Sequence, residues 1–191
     1  MEKDMRIAVL GWGSLIWKPA KLKIREPFRE TGPILPIEFA RISGNGRLTL
    51  VIDERHGEGC ETFYAISSFD NLDDARDNLR DREGMTHVNG VGFVDLLHDV
   101  VSERALERHP NTVPIVREWA AQHDFDAVIW TALAPNFAEM QSVEFSVDAA
   151  MIYLKALPSE KLALAKDCIR NAPKTVKTPL RAAFFDLWPD L

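Results

Sequence analysis

The chain has few cysteines and no clustered basic charge. Cys60 and Cys168 are its only cysteines, and they are far apart and outside any CxxC pattern. A disulfide framework and a zinc site are therefore not expected, and a reducing compartment is the natural location. The formal net charge is −6, and no run of three basic residues occurs. Because nucleic acids and anionic membranes select clustered lysine and arginine, neither is expected as a partner.

No apolar run is long enough to span a membrane. The apolar stretch that begins at Ile7 is interrupted by Gly11, Gly13 and Lys18, and the N-terminal segment MEKDMR carries balanced charge. A signal peptide and a transmembrane helix are therefore not expected. The five histidines have none of the spacings typical of metal sites, so neither a metal nor another cofactor is expected. These absences together predict a cytoplasmic protein.

The composition is that of a globular protein, with 46% hydrophobic and 27% charged residues over 191 positions. Alternating apolar residues on both sides of Asn45-Gly46 predict a β-hairpin. Short apolar runs at 7–10, 63–66, 91–97 and 127–133 predict further strands. Helices are interspersed irregularly among these strands, which favours the α+β class over a doubly wound parallel sheet.

Helical periodicity dominates the last third of the chain. Ser146, Ser159 and Thr178 are the expected N-caps of three helices there. The loop-like region at 135–144 is the expected boundary between two parts of the chain. We therefore divide it into a main domain, residues 1–138, and a helical C-terminal extension, residues 139–191, packed on the same domain.

A glycine-rich loop follows the first predicted strand. Gly11 and Gly13 flank Trp12, and Ser14 adds a small hydroxyl donor. Such a loop lets a ligand approach the backbone closely, which suits a carboxylate, a phosphate or an oxyanion. A dinucleotide-binding motif needs glycine or alanine where Ile16 stands, and a nucleophile elbow needs the pattern G-x-S-x-G. Neither motif is met, and the alternative to a ligand loop is a simple tight turn.

A helix is predicted between an N-cap at Asp70 and a C-cap at Gly84. Because residues four apart share a face, its inner stripe runs through Leu79 to Glu83. A carboxylate thus occupies a position where the pattern demands an apolar side chain. The helix dipole and partial burial both raise the pKa of such a carboxyl, which suits a residue that accepts and returns a proton. The alternative is an ion pair with Arg82 or exposure to solvent.

The segment Gly11-Trp12-Gly13-Ser14-Leu15-Ile16-Trp17-Lys18-Pro19 resembles the YGSL loop of the γ-glutamylcyclotransferases, above all the longer G-Y-G-S-L-I-W form of the ChaC-type enzymes. Trp12 stands where the family has tyrosine. In that family the catalytic glutamate lies at a helix end several tens of residues after the loop, and Glu83 matches this position. The resemblance extends over residues 6–135 and is closest in these two segments.

The resemblance implies an enzyme that cyclises a γ-glutamyl substrate to 5-oxoproline and releases an amine, an amino acid or a peptide, without a cofactor. It implies a small mixed or antiparallel, barrel-like sheet with flanking helices, and residues 1–138 as the catalytic domain. Glu83 is then the catalytic residue. The implied substrate-binding residues are Gly11, Trp12, Gly13, Ser14 and Leu15. Two alternatives stay open: a non-catalytic domain that binds γ-glutamyl or other small molecules, and an enzyme in which water or another amine attacks.

Overall fold

Strands and helices alternate irregularly along the chain, which confirms the predicted α+β class. The computed structural model describes residues 4–189. The strands are β1 (Ile7–Gly11), β2 (Ile34–Ile42), β3 (Leu48–Ile52), β4 (Glu58–Glu61), β5 (Phe63–Ile66), β6 (Val91–Asp95), β7 (Val100–Val101) and β8 (Ala127–Thr131). The helices are α1 (Ser14–Trp17), α2 (Leu72–Glu83), α3 (Glu103–Arg108), α4 (Thr112–Gln122), α5 (Phe137–Gln141), α6 (Val147–Ala156), α7 (Ser159–Asn171) and α8 (Pro179–Leu187). The last third of the chain is helical, as predicted.

The described chain divides into two compact units, each assembled from separate stretches of sequence. The first unit contains residues 4–11, 15–34 and 61–133, and the second contains residues 12–14, 35–60 and 134–189. The chain passes from the first unit to the second for the last time between residues 133 and 134, close to the boundary expected at 135–144. Residues 35–60 nevertheless belong to the same unit as the helical C-terminal part.

The first unit contains a five-stranded sheet with the order β5-β1-β8-β6-β7. β1 pairs with β8 in parallel, and the other three pairings are antiparallel. All five residues of β1 are buried, which explains the continuous apolar sequence of that strand. β5 and β7 lie at opposite edges without pairing, so this sheet does not close on itself.

The second unit contains a three-stranded sheet with the order β3-β2-β4. The β2–β3 hairpin turns at Asn45-Gly46 as predicted, and Gly46 has a φ of 83°, a left-handed conformation that favours glycine. The Tyr153 hydroxyl of α6 donates a hydrogen bond of 2.7 Å to the Gly46 carbonyl and so ties a C-terminal helix to the hairpin. Instead of one barrel-like sheet, the strands within residues 4–189 form two open sheets, because each set pairs only within itself.

Two helix caps predicted from the sequence are displaced by one residue. The N-cap of α2 is Asn71 and not Asp70, because the Asn71 side chain accepts a hydrogen bond from the backbone of the first turn. The N-cap of α7 is Pro158, and Ser159 is the first residue of that helix. The caps predicted for α6 and α8 are confirmed: Ser146 and Thr178.

The helices are short. α7, with 13 residues, is the longest in the described part of the chain. A bilayer span needs about 20 predominantly apolar residues. Within residues 4–189, therefore, none of the helices has both the length and the apolar character that crossing a membrane requires.

Candidate functional site

Gly11, in the first unit, is the last residue of β1 and opens the glycine-rich loop. A Cβ atom at this position would stand 2.9 Å from Cε1 of Phe28, closer than real Cβ contacts allow. Any larger residue would therefore force the ring to move. The close approach that a glycine was expected to permit is, at position 11, an approach to the protein's own aromatic ring.

Trp12, Gly13 and Ser14 belong to the second unit. The Trp12 side chain is 4% exposed, and its indole N–H donates a long hydrogen bond of 3.4 Å to the Leu50 carbonyl. A Cβ atom on Gly13 would meet only Leu50, at an ordinary contact distance of 3.8 Å, and Gly13 has no positive φ. Trp12 is buried, backbone included, whereas Gly13 and Ser14 are partly exposed, so these two residues are the part of this stretch that a ligand can reach.

Leu15, on α1, belongs to the first unit and is 6% exposed. Its side chain lies in one apolar core with Val9 of β1 and with Ala75 and Leu79 of α2. Burial of a leucine side chain contributes about 1.5–3 kcal/mol to stability. The C-terminal side of the loop is therefore anchored in the same core as the helix that carries Glu83.

α2 ends at Glu83 in a left-handed glycine cap, as predicted. Gly84 has φ 67° and ψ 27°, and its N–H bonds to the Asp81 carbonyl. The next N–H, that of Met85, bonds to the Arg80 carbonyl at 3.1 Å. These two bonds form a Schellman motif, which satisfies carbonyls of the last turn that have no partner in the helix. The motif therefore holds Glu83 in a defined place at the helix end.

The Glu83 side chain is only 20% exposed. Arg82, whose side chain is 9% exposed, donates from Nη1 to Oε1 of Glu83 at 2.8 Å. A second nitrogen of the same guanidinium, Nη2, donates to the Lys18 carbonyl at 2.6 Å. The ion pair with Arg82, which the sequence left open as an alternative, is thus present and is tied to the chain just after α1.

Burial raises the pKa of the Glu83 carboxyl, and the charge and hydrogen bond of Arg82 oppose this effect without cancelling it. The predicted direction is confirmed, with burial as the largest cause. A carboxyl with a raised pKa exchanges protons more readily near neutral pH than an ordinary exposed glutamate does. The surroundings of Glu83 therefore suit general acid–base chemistry.

Two contacts within the first unit connect the helix that carries Glu83 to the C-terminal end of the loop and to the chain just after it. Leu15 shares an apolar core with Leu79, one turn before Glu83. Arg82, beside Glu83, bonds to the Lys18 carbonyl. One contact is apolar and involves the last residue of the loop, and the other is polar and involves a residue three positions after it.

Two charged residues, the buried Glu38 and the partly buried Arg76, escaped prediction from the sequence. Glu38 is 1% exposed on β2, although it lies between Ile37 and Phe39, where alternation predicts a solvent-facing side chain. The Arg76 side chain on α2 is 15% exposed. A signal for Arg76 was present, because it stands seven residues before Glu83 and shares its helix face.

Within residues 4–189, no group of three or more His, Cys, Asp and Glu side chains is arranged to hold a metal ion. Both cysteines are free thiols; Cys60 is buried and Cys168 is partly exposed. Comparisons with protein-family models, with curated proteins and with solved structures found no match for the chain. Its function is therefore inferred from its own residues and from the loop motif that they form.

Proposed function

We propose that this chain is a γ-glutamylcyclotransferase-like enzyme, which converts a γ-glutamyl amide to 5-oxoproline and releases an amine, an amino acid or a peptide. The observation that carries the proposal is the Glu83 carboxyl, four-fifths buried at the end of α2 and with a raised pKa. Carboxyls in such surroundings are typical of general acid–base catalysts. The resemblance of the Gly11–Leu15 loop supplies the substrate class.

The proposed reaction is an intramolecular aminolysis. The α-nitrogen of the glutamyl group forms a bond to its own γ-carbonyl carbon, and the bond from that carbon to the leaving nitrogen breaks. The α-ammonium group loses two protons to become the ring N–H. Glu83 passes one of them to the leaving nitrogen, and the other reaches the released amine through solvent. Atoms and charges balance without a redox partner or a co-substrate.

Holding the substrate is the main task in such a reaction, because both reacting groups belong to one molecule. We assign this task to the backbone of Gly11, Trp12, Gly13, Ser14 and Leu15, which would bind the glutamyl carboxylate or the developing oxyanion. The partial exposure of Gly13 and Ser14 supports a contact through the backbone. A tyrosine hydroxyl, which the family has at the position of Trp12, is then not needed for binding.

The proposal includes an open, mixed-sheet form of that family's fold and a cytoplasmic location. The mixed sheet of the first unit, with one parallel pairing among antiparallel ones, supports such a fold. The two free thiols support a reducing compartment. The formal charge of −6 supports a small-molecule substrate over nucleic acid as the partner.

The activity is tested by incubating the purified protein with glutathione, γ-glutamyl-alanine and a γ-glutamyl-amine, and quantifying 5-oxoproline by mass spectrometry. We expect 5-oxoproline from at least one of these compounds, at a rate proportional to protein concentration. The three leaving groups are a peptide, an amino acid and an amine, so the panel also identifies the class that the enzyme accepts. Absence of 5-oxoproline with all three would contradict the proposed activity.

A second candidate is a non-catalytic domain that binds γ-glutamyl compounds. The ion pair favours it, because Oε1 of Glu83 is already engaged by Arg82 at 2.8 Å in a mostly buried pair. A binding domain would gain thermal stability from γ-glutamyl-alanine and release no 5-oxoproline. Attack by water, the remaining alternative, would release glutamate in place of 5-oxoproline.

Arg82→Met is expected to move the acidic limb of the pH profile of kcat to higher pH. Glu83 must be ionised to take a proton, so activity falls as the pH drops through its pKa. Arg82 lowers the pKa of Glu83, and removing its charge therefore raises that pKa further. The position of the acidic limb is measured from initial rates of 5-oxoproline release across a series of pH values.

Arg80→Met is the matched control, since Arg80 lies on the same helix and pairs with the exposed Asp77 and Asp81. Its acidic limb should coincide with that of the unchanged protein. If the acidic limb of the Arg82→Met profile stays in place or moves to lower pH, the ionisation of Glu83 does not determine that limb.

A further inference from the structure

A cavity of about 410 Å³ lies in the first unit, between α2, β6, β7, α3 and the 3₁₀ turn at Val88–Gly90. Its volume is near the lower end of the range of small-molecule sites, about 300–1,000 Å³. Glu83 does not line it. The cavity is therefore separate from the carboxyl on which the proposed function depends, and its size suits a ligand smaller than a nucleotide cofactor.

Arg76 is the most deeply placed charged residue of the cavity. Its side chain is 15% exposed, and its guanidinium carbon lies 4.5 Å from the centre of the Phe93 ring. Nε is buried and has no hydrogen-bond partner within residues 4–189. Nη1 lies 3.5 Å from the carboxylate of Asp73, whose side chain is 92% exposed. A buried donor without a partner, such as this Nε, is uncommon in folded proteins, because it costs about 1–3 kcal/mol.

The geometry of Arg76 favours a carboxylate as the acceptor. The guanidinium carbon lies over the Phe93 ring, and the planar fork of a guanidinium binds a carboxylate through two parallel hydrogen bonds. Burial lowers the pKa of Arg76, and a bound anion would offset that effect. Arg76 therefore combines low exposure with a contact to an aromatic ring at the wall of the cavity, which suits an anchor for a carboxylate.

The other charged residues of the cavity argue against a ligand that is only anionic. Glu103 and Glu107 are exposed at its edge, and Arg104 is paired with Glu107 at 3.1 Å. Because Asp73 is paired with Arg76 and Glu107 with Arg104, the charged groups around the cavity carry no excess of positive charge. A phosphate or a dicarboxylate would be repelled by the glutamates, whereas an ammonium group would be attracted. Val91, Phe93, Val100 and Val101 add apolar surface to the lining of the cavity.

We propose that this cavity binds a small zwitterion, an α-amino acid or a dipeptide, with its carboxylate on Arg76 and its ammonium group beside Glu103 and Glu107. The apolar wall formed by Val91 and Phe93 takes the side chain of the ligand. The site does not depend on catalysis at Glu83, and it is present whether the chain is an enzyme or a binding domain.

The first test uses the unchanged protein. The twenty common L-amino acids and glycylglycine are screened by thermal shift, and each hit is titrated by isothermal calorimetry. We expect at least one of them to bind at millimolar concentration or tighter. Its decarboxylated amine and its N-acetyl derivative should each bind at least about tenfold more weakly, because each lacks one of the two charges. Inorganic phosphate is included, and binding of phosphate without binding of any amino acid would overturn the proposal, as would no binding at all.

The second test assigns the binding to Arg76. Arg76→Met keeps an unbranched stem against Phe93 and removes the fork, so it should weaken binding of the hit at least about tenfold. Arg80→Met, one turn further along α2 and outside the cavity lining, should leave the affinity unchanged. Equal affinity in both variants would overturn the assignment.

A third measurement keeps the proposal testable if Arg76→Met does not fold. The amide resonances of Asn89, Val101 and Ser102, which line the cavity, are followed by NMR in the unchanged protein during titration with the hit. We expect their shifts to follow the calorimetric binding curve. Shifts confined to other parts of the protein would place the ligand elsewhere and overturn the proposal.

Discussion

Replacement of Glu83 by Gln is expected to lower the rate of 5-oxoproline release at least about a hundredfold. Glutamine keeps the shape of the side chain at the end of α2, but it takes no proton from the α-ammonium group. Because substrate binding is assigned to the loop backbone, kcat should fall while KM changes little. The measurement is 5-oxoproline by mass spectrometry over a range of substrate concentrations, with the melting temperature of each variant as a test of folding.

Asp81→Asn is the matched control for Glu83→Gln. It makes the same change from carboxylate to amide in the same helical turn, but the Asp81 side chain is 61% exposed. We expect its turnover to stay within about twofold of the unchanged protein, since exposed substitutions away from a site have small effects. A folded Glu83→Gln protein with nearly normal turnover would remove Glu83 from the mechanism. The 5-oxoproline panel would still show whether the chain is a cyclotransferase that uses another base.

Replacement of Glu38 by Ala is expected to lower the free energy of unfolding by about 2–4 kcal/mol. The Glu38 carboxylate, in the second unit, accepts hydrogen bonds from the N–H groups of Phe39 at 2.7 Å and Leu180 at 3.4 Å. It also accepts one from the hydroxyl of Thr178, the N-cap of α8. Alanine leaves these donors buried without that acceptor and removes the connection between β2 and the start of α8. Urea denaturation at about pH 7 measures the loss.

The free energy of unfolding lost through Glu38→Ala should also depend on pH. Burial raises the pKa of Glu38 above the ordinary 4.5, against the opposing effect of its hydrogen bonds. The folded protein therefore keeps this proton to a higher pH than the unfolded chain does. The contribution of Glu38 to stability is thus complete below the ordinary pKa and declines as the pH rises through the raised one. We expect the difference between the unchanged protein and Glu38→Ala to be larger at about pH 5 than at about pH 7.

Glu58→Ala on the neighbouring strand β4 is the control for Glu38→Ala, because Glu58 is exposed. Its free energy of unfolding should change by no more than about 0.5 kcal/mol. If the two variants lose the same stability, the hydrogen bonds of Glu38 do not connect β2 to α8 as inferred. A difference that grows with rising pH would show that the sign of the pKa shift is wrong.

The surroundings of Glu83 were largely predictable from the sequence, and those of Glu38 were not. The stripe from Leu79 to Glu83 and the cap at Gly84 are separated by a few residues, so helical geometry alone relates them. Glu38 fits the alternation of apolar and polar residues along a strand, which predicts that it faces solvent. Its burial depends on Leu180, which lies far along the chain. Alternation along a strand does not reveal which segment covers its second face.

The sequence by itself determined the α+β class, the hairpin at Asn45-Gly46, the helical last third and the place of Glu83 on the inner stripe at the end of α2. These features depend on the periodicity, caps and turns of segments shorter than about 20 residues. The tertiary structure alone decided that the strands form two open sheets, that the Trp12 ring is buried, and that Arg76 lines a cavity. The physical reason is that strand pairing and burial depend on contacts between distant segments, and local spacing carries no information about which segments meet.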